Sequence, residues 1–296
     1  MALAHDDLWP RAGDWPAASA VDGLLDLALL GVPTWRTSLS PTGAHATPGA
    51  IRDALRRYSP TLIEGPLDLN ALRIADAGDI PEPDGAAGEA LVRERVAELA
   101  ARSRLDVALG GDNSSTYATA EGAAATGLIT IDAHYDLRDG VSNGAPVRRL
   151  IEGGLDPARI VQIGIADFAN SAAYARRAAD YGITVIPLEA VRQRGATDVL
   201  EQALSVAGSS ADSRIHLDVD VDVCDRAVAP GCPASVPGGL AAWELRALVR
   251  AAASDPRLVS ADIVEVDATA DAPDGRTVRL AALCVLEMIA GLAVRE

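Results

Sequence analysis

The feature that most constrains this fold is the alternation of short apolar segments with amphipathic segments along the chain. Several apolar segments are nearly continuous Val, Ile and Leu, which is typical of strands covered on both faces. Segments with apolar residues three and four positions apart lie between them and predict helices. We predict strands at 25–32, 71–76, 105–111, 128–133, 158–165, 183–188, 214–223 and 258–267, and helices at 48–58, 88–103, 172–182, 243–254 and 276–292. This order predicts parallel βαβ units in one α/β domain, residues 1–296.

Composition restricts the class of partner. The formal net charge is −16, which argues against nucleic acid and against anionic membranes as binding partners. The N-terminal segment lacks the pattern of a signal peptide, and no uncharged apolar run reaches about 18 residues, so we expect no membrane segment. Three scattered cysteines are too few for a disulfide framework, which favours a reducing, cytoplasmic location.

Acidic residues cluster at the carboxyl ends of two of the predicted strands. Asp132, His134 and Asp136 follow one strand, and Asp218, Asp220 and Asp222 occupy alternate positions of another. Alternate residues of an extended chain share a face, and ligands of open parallel sheets bind beyond the carboxyl ends of the strands. Both segments therefore predict side chains that converge on one site.

Carboxylates packed this closely on a covered strand need a compensating charge. Two carboxylates 4 Å apart repel by about 1 kcal/mol in water and about 4 kcal/mol at an effective dielectric constant of 20. A solvated strand face is the alternative, but a central parallel strand has no such face. Carboxylates with one imidazole suit Mn²⁺, or Fe²⁺ or Co²⁺, better than a structural zinc site. More than three anionic ligands favour two ions bridged by an aspartate.

Two further strand ends carry polar groups. The segment GGDN, residues 110–113, would by itself be a tight turn and a helix cap, but its place after a strand favours a role in the same site. Glu265 and Asp267 end the last predicted strand, within the segment DIVEVD at 262–267.

Together these segments resemble the ureohydrolases, the arginase/agmatinase/formimidoylglutamase family. That family carries a GGDH-type turn, a DAHxD segment, a DxDxxD segment followed by an APG-like turn, and a Glu after the last strand. This chain has, in the same order, GGDN (110–113), DAHYD (132–136), DVDVCDRAVAPG (220–231) and DIVEVD (262–267). The resemblance covers roughly residues 30–295. It implies a three-layer α/β/α sandwich with a mostly parallel central sheet, a homo-oligomer, and hydrolysis of a guanidinium or amidinium carbon with two Mn²⁺.

The resemblance also implies residue roles. Asp132 and Asp220 would bridge the two metal ions, and Glu265 would hold the cationic C–N group of the substrate. The remaining ligands would be Asp136 and Asn113 for the first ion, and His134 and Asp222 for the second. Asp136 would join Glu265 in moving a proton to the leaving nitrogen. Asp225 would be a supporting acid, and Asp218 an outer group behind the ligands.

Two departures from the family pattern stand out. The histidine of GGDH is Asn113 here, which offers a neutral oxygen donor that is weaker toward transition metals than imidazole. The loop after DAHYD lacks the histidine that arginases carry, and Asn143 is nearest to that place. The loop instead resembles formimidoylglutamases, as do residues 162–177 and 231–239.

Two arginines suggest the charge of the substrate. Arg138 and Arg148 lie in the loop beside DAHYD, at the expected mouth of an acidic site, which favours a substrate with an anionic tail. We therefore predict hydrolysis of N-formimidoyl-L-glutamate to formamide and L-glutamate, with Arg138, Asn143, Arg148 and Glu265 binding the substrate. The alternatives are an agmatinase or other guanidino-acid hydrolase, or a degenerate, non-catalytic member. Pairing of the arginines with Asp139 and Glu152 would remove the charge argument.

Overall fold

The computed structural model describes Asp6, residues 8–63 and residues 67–295. The strands are β1 (Leu25–Val32), β2 (Thr61–Leu62), β3 (Leu67–Asp68), β4 (Ile74–Asp79), β5 (Ser103–Gly110), β6 (Gly127–Ile131), β7 (Ile160–Ile165), β8 (Thr184–Pro187), β9 (Ile215–Asp220) and β10 (Leu258–Val264). Eight of them form one sheet in the order β4-β1-β5-β10-β9-β6-β7-β8, and all its neighbouring strands are parallel. The short strands β2 and β3 form a separate antiparallel pair. This confirms the predicted parallel sheet.

Helices cover both faces of the sheet. They are α1 (Thr47–Leu55), α2 (Gly85–Ala100), α3 (Ser115–Gly122), α4 (Pro146–Glu152), α5 (Ala172–Tyr181), α6 (Leu188–Arg194), α7 (Ala196–Ala207), α8 (Ala242–Ala253) and α9 (Arg276–Leu292). The face with α1, α7, α8 and α9 holds one large apolar cluster. The face with α2 to α5 holds two smaller clusters. The three-layer α/β/α arrangement is therefore confirmed.

The two smaller clusters lie on either side of the central strands β10 and β9. On this face β9 presents His216, Asp218 and Asp220, while its other face presents Leu217 and Val219 to the large cluster. All five side chains are buried. A polar strip therefore runs along the middle of the sheet beneath α3, and it ends at the carboxyl edge.

Close backbone contacts shape that edge. Gly111 follows β5, and a Cβ built on it would lie 2.0 Å from the backbone oxygen of Thr34, so only glycine fits there. The approach lets Asp112 N donate to Thr34 O at 2.9 Å. The GGDN segment thus turns sharply against the chain that leaves β1, and this turn sets Asn113 at the end of the strip.

The structure corrects several predicted boundaries. β1 and α9 have the predicted bounds, but the strand expected at 71–76 is β4, which begins at Ile74 because Leu69–Ala71 form a 3₁₀ turn. The strand expected at 214–223 ends at Asp220, where a second 3₁₀ turn, Val221–Val223, begins. The prediction omitted α3, α4, α6 and α7. α3 lacks the apolar spacing that predicts a helix, because its inner face covers a polar strip. Thr119 Oγ1, for example, donates to Asp262 Oδ2 at 2.9 Å.

Candidate metal centre and active site

The same local turn follows β6 and β9. Asp132 Oδ1 accepts a hydrogen bond from His134 N at 2.6 Å, and Asp220 Oδ1 accepts one from Asp222 N at 2.8 Å. In each case an aspartate binds the backbone two residues later, which is an Asx turn. The chain leaves the strand at that point, so convergence comes from two turns rather than from the strand alternation that we predicted.

These turns bring three ligand-type side chains together. His134 Nδ1 lies 3.0 Å from Asp222 Oδ2 and 3.5 Å from Asp132 Oδ1. One candidate ligand atom from each of the three residues lies within 4.8 Å of the others. Asp132 Oδ2 is buried and has no hydrogen-bond partner among the described residues. An unsatisfied carboxylate oxygen beside a nitrogen and a second carboxylate fits a borderline divalent ion such as Mn²⁺.

The charges of this group also favour a cation. Burial would lower the pKa of His134, but attraction to Asp222 and a hydrogen bond with Asp132 outweigh it and raise that pKa to about 12. Burial and repulsion from Asp222 raise the pKa of Asp132 to about 6. Burial would raise the pKa of Asp222 as well, yet His134 lowers it overall. A positive charge here therefore stabilises the ionised carboxylates.

Asn113, Asp136 and Asp220 meet beside this group. Asn113 Nδ2 donates to Asp136 Oδ2 at 2.5 Å and to Asp220 Oδ2 at 3.2 Å, while its Oδ1 accepts from Thr116 Oγ1 at 2.6 Å. The amide nitrogen thus faces the carboxylates. For Asn113 to offer an oxygen to a metal the amide must flip, after which the Thr116 hydroxyl could accept from Nδ2.

Burial dominates the titration of this second group. It raises the pKa values of Asp136 and Asp220 well above the ordinary range, and repulsion from Asp132 and Asp222 raises them further. Ionised carboxylates at such positions require a nearby cation or several hydrogen-bond donors. Asn113 Nδ2 is a donor to both carboxylates in this group.

Glu265 closes the site from the end of β10. Its Oε1 accepts hydrogen bonds from Asn113 N and from Asn143 Nδ2, both at 2.8 Å. Its backbone φ is 62° and that of Asp136 is 51°, left-handed values that cost energy in residues other than glycine. Burial and the nearby Asp112 raise the pKa of Glu265 to about 8. Two acidic residues with left-handed backbone conformations thus line the same cavity.

A cavity of about 220 Å³ lies over these groups. Its lining includes His134, Asp136, Asp220, Asp222 and Glu265. The chain also has a larger cavity, of about 750 Å³, lined by parts of α2, α3 and α4, which contains none of the predicted site residues. The smaller cavity is therefore the candidate active site, because it is the one of the two that is lined by the predicted site residues.

The two predicted arginines occupy different places. Arg138 is exposed and lines the cavity, and its Cδ would lie 2.7 Å from a Cβ built on Gly144. Arg148 instead donates from Nε to Arg138 O at 2.6 Å, and its other nitrogens bind Gly140 O and Glu152. The pairing with Glu152 that we left open is thus found for Arg148. Arg138 makes no ion pair with any described residue.

Sequence reasoning missed one anchor of the site. Asn170 Nδ2 donates to Ala133 O at 2.8 Å, and Asn170 Oδ1 accepts from Tyr135 N at 3.2 Å. Asn170 therefore holds the backbone of DAHYD on both sides of His134. Its signals were a short polar segment before a helix start and its place in residues 162–177, which resemble formimidoylglutamases. Asp225 binds the backbone of Ala227 and Gly238, which agrees with a supporting role.

The fold and this site define a class: a parallel α/β protein with a carboxylate–imidazole cluster suited to metal ions at the carboxyl edge of the sheet. A sequence model of the arginase family matches residues 25–291. The chain belongs to the arginase family. None of the helices in the described residues combines the length and hydropathy needed to span a bilayer.

Three proteins illustrate the similarity. The formimidoylglutamase of Halalkalibacterium halodurans is 36% identical over 289 residues, covering 93% of this chain and 89% of that protein. The crystal structure of Bacillus subtilis formimidoylglutamase superposes with a TM-score of 0.93 at 32% identity, covering 99% of this chain and 95% of that one. Trypanosoma cruzi formiminoglutamase, solved with Mn²⁺₂, has a TM-score of 0.87 at 25% identity, covering 97% and 100%.

Proposed function

We propose that this protein hydrolyses N-formimidoyl-L-glutamate to formamide and L-glutamate with bound Mn²⁺. The observation that carries the proposal is one cavity that combines a carboxylate–imidazole cluster, a buried glutamate and a free arginine. The similarity to formimidoylglutamases supports the same substrate. This reaction requires a water nucleophile, a group for the cationic amidine, and a cation for the anionic tail.

Six side chains would hold the metal. As the family resemblance implies, Asp132 from the first group and Asp220 from the second would hold both ions. The other ligands are His134 and Asp222 for one ion, and Asp136 and Asn113 for the other. When bound, such ions lower the pKa of a coordinated water so that it can act as a nucleophile near neutral pH.

The acidic residues over the site would handle the amidine. Glu265 borders the cavity while its Oε1 is held by two donors, so its carboxylate is oriented before substrate arrives. An ionised Glu265 would bind the planar amidinium through charge-assisted hydrogen bonds. Asp136 borders the same cavity and is the second carboxylate placed to pass a proton to the leaving nitrogen.

Arg138 would bind the tail of the substrate. Arg138 lines the cavity and is not engaged by any carboxylate of the described residues, whereas Arg148, on α4, is occupied by Arg138 O, Gly140 O and Glu152. We therefore assign a substrate carboxylate to Arg138 and a loop-supporting role to Arg148. A formimidoylglutamate tail carries two carboxylates, whereas agmatine has none.

Three further properties belong to the proposal: the number of metal ions, the extent of the domain, and the assembly and location of the protein. We infer two Mn²⁺ ions from the two adjacent groups of ligand-type side chains. We infer one catalytic domain over residues 1–296, because the eight-stranded sheet draws strands from β1 to β10. A homo-oligomer in the cytoplasm agrees with the family resemblance and with the small number of cysteines.

The test is a product assay with a panel of substrates. Purified protein loaded with Mn²⁺ should release formamide and glutamate from N-formimidoyl-L-glutamate, and should release little urea from agmatine, guanidinobutyrate or arginine. Metal analysis of the same sample should find Mn²⁺ bound. Faster turnover of agmatine would identify an agmatinase instead, and metal binding without turnover of any amidine would indicate a non-catalytic member.

A further inference from the structure

The segment between β1 and the turn at Ala44 crosses the mouth of the active site. We call this segment, residues 33–43, the strap. It is held at its start by Asp84 Oδ1, which accepts from Trp35 N at 3.1 Å and Arg36 N at 2.9 Å. It is held at its end by Asp267 Oδ2, which accepts from Gly43 N at 2.7 Å. Leu39 and Ser40, near its middle, line the cavity.

Asn143 holds the middle of the strap. Its Oδ1 accepts from Leu39 N at 3.0 Å, and its Nδ2 donates to Glu265 Oε1 at 2.8 Å. The two ends of the amide cannot be interchanged, because a backbone N–H only donates and would face Nδ2 after a flip. The amide oxygen and one amide hydrogen are therefore already used by the protein.

We propose that Asn143 is a positioning residue for Glu265 rather than a direct ligand of the substrate. Glu265 occupies a left-handed backbone conformation just after β10, and such a conformation persists only where surrounding contacts hold it. Asn113 N and Asn143 Nδ2 both bind Oε1, and only the second comes from a side chain. Asn143 thereby joins the strap to the group that binds the amidine.

This inference rests on the proposed function and makes a different kinetic prediction from substrate binding. A residue that orients Glu265 acts on the reacting end of the substrate, so its loss lowers kcat. Loss of a residue that binds the tail of the substrate raises KM instead. Loss of a charge-assisted hydrogen bond corresponds to a change of roughly 10- to 150-fold.

Two substitutions separate the two contacts of Asn143. Asn143→Asp keeps an oxygen that accepts from Leu39 N but replaces the amide donor with an ionised carboxylate oxygen, so the hydrogen bond to Glu265 Oε1 is lost. Asn143→Ala removes both contacts. Asp84→Ala is the matched control, because it loosens the start of the strap and leaves the Asn143–Glu265 contact intact.

The experiment measures kcat and KM of the four Mn²⁺-loaded proteins with N-formimidoyl-L-glutamate. We expect both Asn143 variants to lose roughly 10- to 150-fold in kcat, with KM changed less than about threefold and Asp84→Ala near the wild type. Near-normal kcat for Asn143→Asp would show that Asn143 holds only the strap. A raised KM with normal kcat for Asn143→Ala would show direct substrate binding. Either result overturns the proposal.

Hydrogen exchange tests whether Asn143 holds Glu265 without a measurement of turnover. Asn113 N donates to Glu265 Oε1, so exchange of the peptide that contains Asn113 reports whether Glu265 is held. We expect faster exchange there in Asn143→Asp and Asn143→Ala than in Asp84→Ala. Unchanged exchange in both Asn143 variants would overturn the proposal. A wild type that hydrolyses no amidine would instead refute the proposed function and leave this comparison valid.

Discussion

The two faces of β9 differ in chemistry but not in burial. Leu217 and Val219 are fully buried on one face, in the large apolar cluster with α7, α8 and α9. His216, Asp218 and Asp220 are buried to the same degree on the other face, beneath α3. Burying apolar groups stabilises a fold, whereas burying polar groups costs stability unless partners compensate. The apolar face therefore contributes to the stability of the fold, whereas the polar face lowers it and supplies Asp220 to the candidate site.

The polar face is only partly compensated. His216 Nδ1 lies 2.6 Å from Ser260 Oγ, but neither carboxylate oxygen of Asp218 has a partner among the described residues. Asp218 and Asp262 are direct neighbours in the register of β9 and β10. Burial, followed by repulsion from Asp262, raises the pKa of Asp218 well above its usual range. Asp218 thus lies one row behind the proposed ligand Asp220, and its surroundings favour the neutral carboxyl.

The largest effect is expected from a polar-face substitution at the site. Asp220→Ala should abolish turnover and lower Mn²⁺ content together, because a bridging ligand serves both ions. Metal analysis and a formamide assay of the same preparation measure both. Full metal content with wild-type turnover would show that Asp220 is not a ligand.

Leu217→Ala tests the opposite face of the same strand. It should lower the free energy of unfolding by about 2–5 kcal/mol, because a fully buried leucine leaves a cavity. Metal content and kcat of the folded variant should stay near wild type. Chemical denaturation measures the first quantity. A loss of bound metal at temperatures where the variant is folded would show that the two faces are not independent.

A smaller effect is expected at the mouth of the cavity. Arg138→Ala should raise KM for N-formimidoyl-L-glutamate by roughly 10- to 150-fold, since a charged hydrogen bond contributes about 1.5–3 kcal/mol. Arg148→Ala is the control, because the Arg148 guanidinium binds Gly140 O in the preceding loop and Glu152 on α4. Steady-state kinetics of both variants test whether Arg138 alone binds the substrate. An equal rise in KM for the two variants would show that the two arginines do not differ in this role.

The smallest effect concerns the residue that departs from the family pattern. Asn113→His should tighten binding of the more weakly bound Mn²⁺ by about tenfold, or ~1.4 kcal/mol, because imidazole is the better donor. The wild type should need added Mn²⁺ for full activity, and the variant less. Calorimetric titration with Mn²⁺ measures both affinities. Two equally tight ions in the wild type, unchanged in the variant, would show that Asn113 does not limit binding.

The sequence was sufficient for the parallel sheet and for the segments that form the site. β1 and α9 follow from mainly apolar patterns, and Asp132, His134, Asp220 and Asp222 follow from the acidic segments at the carboxyl ends of predicted strands. These features are local or depend on one topological rule, that carboxyl ends of parallel strands meet at one edge. The position of α3 could not be predicted, because its inner face meets polar groups of other strands.

Side-chain assignments within the site required the tertiary structure. Arg138 and Arg148 carry the same charge and both follow DAHYD in the sequence, yet Arg138 borders the cavity, whereas Arg148 binds carbonyl oxygens of the preceding loop. Asn143 meets Glu265 across 122 positions of sequence, and Asn170 holds DAHYD from another loop. Sequence patterns are sufficient to predict the strands of the large sheet, several of the helices and their order along the chain. Which donor meets which acceptor depends on packing between distant segments, and only the folded chain decides it.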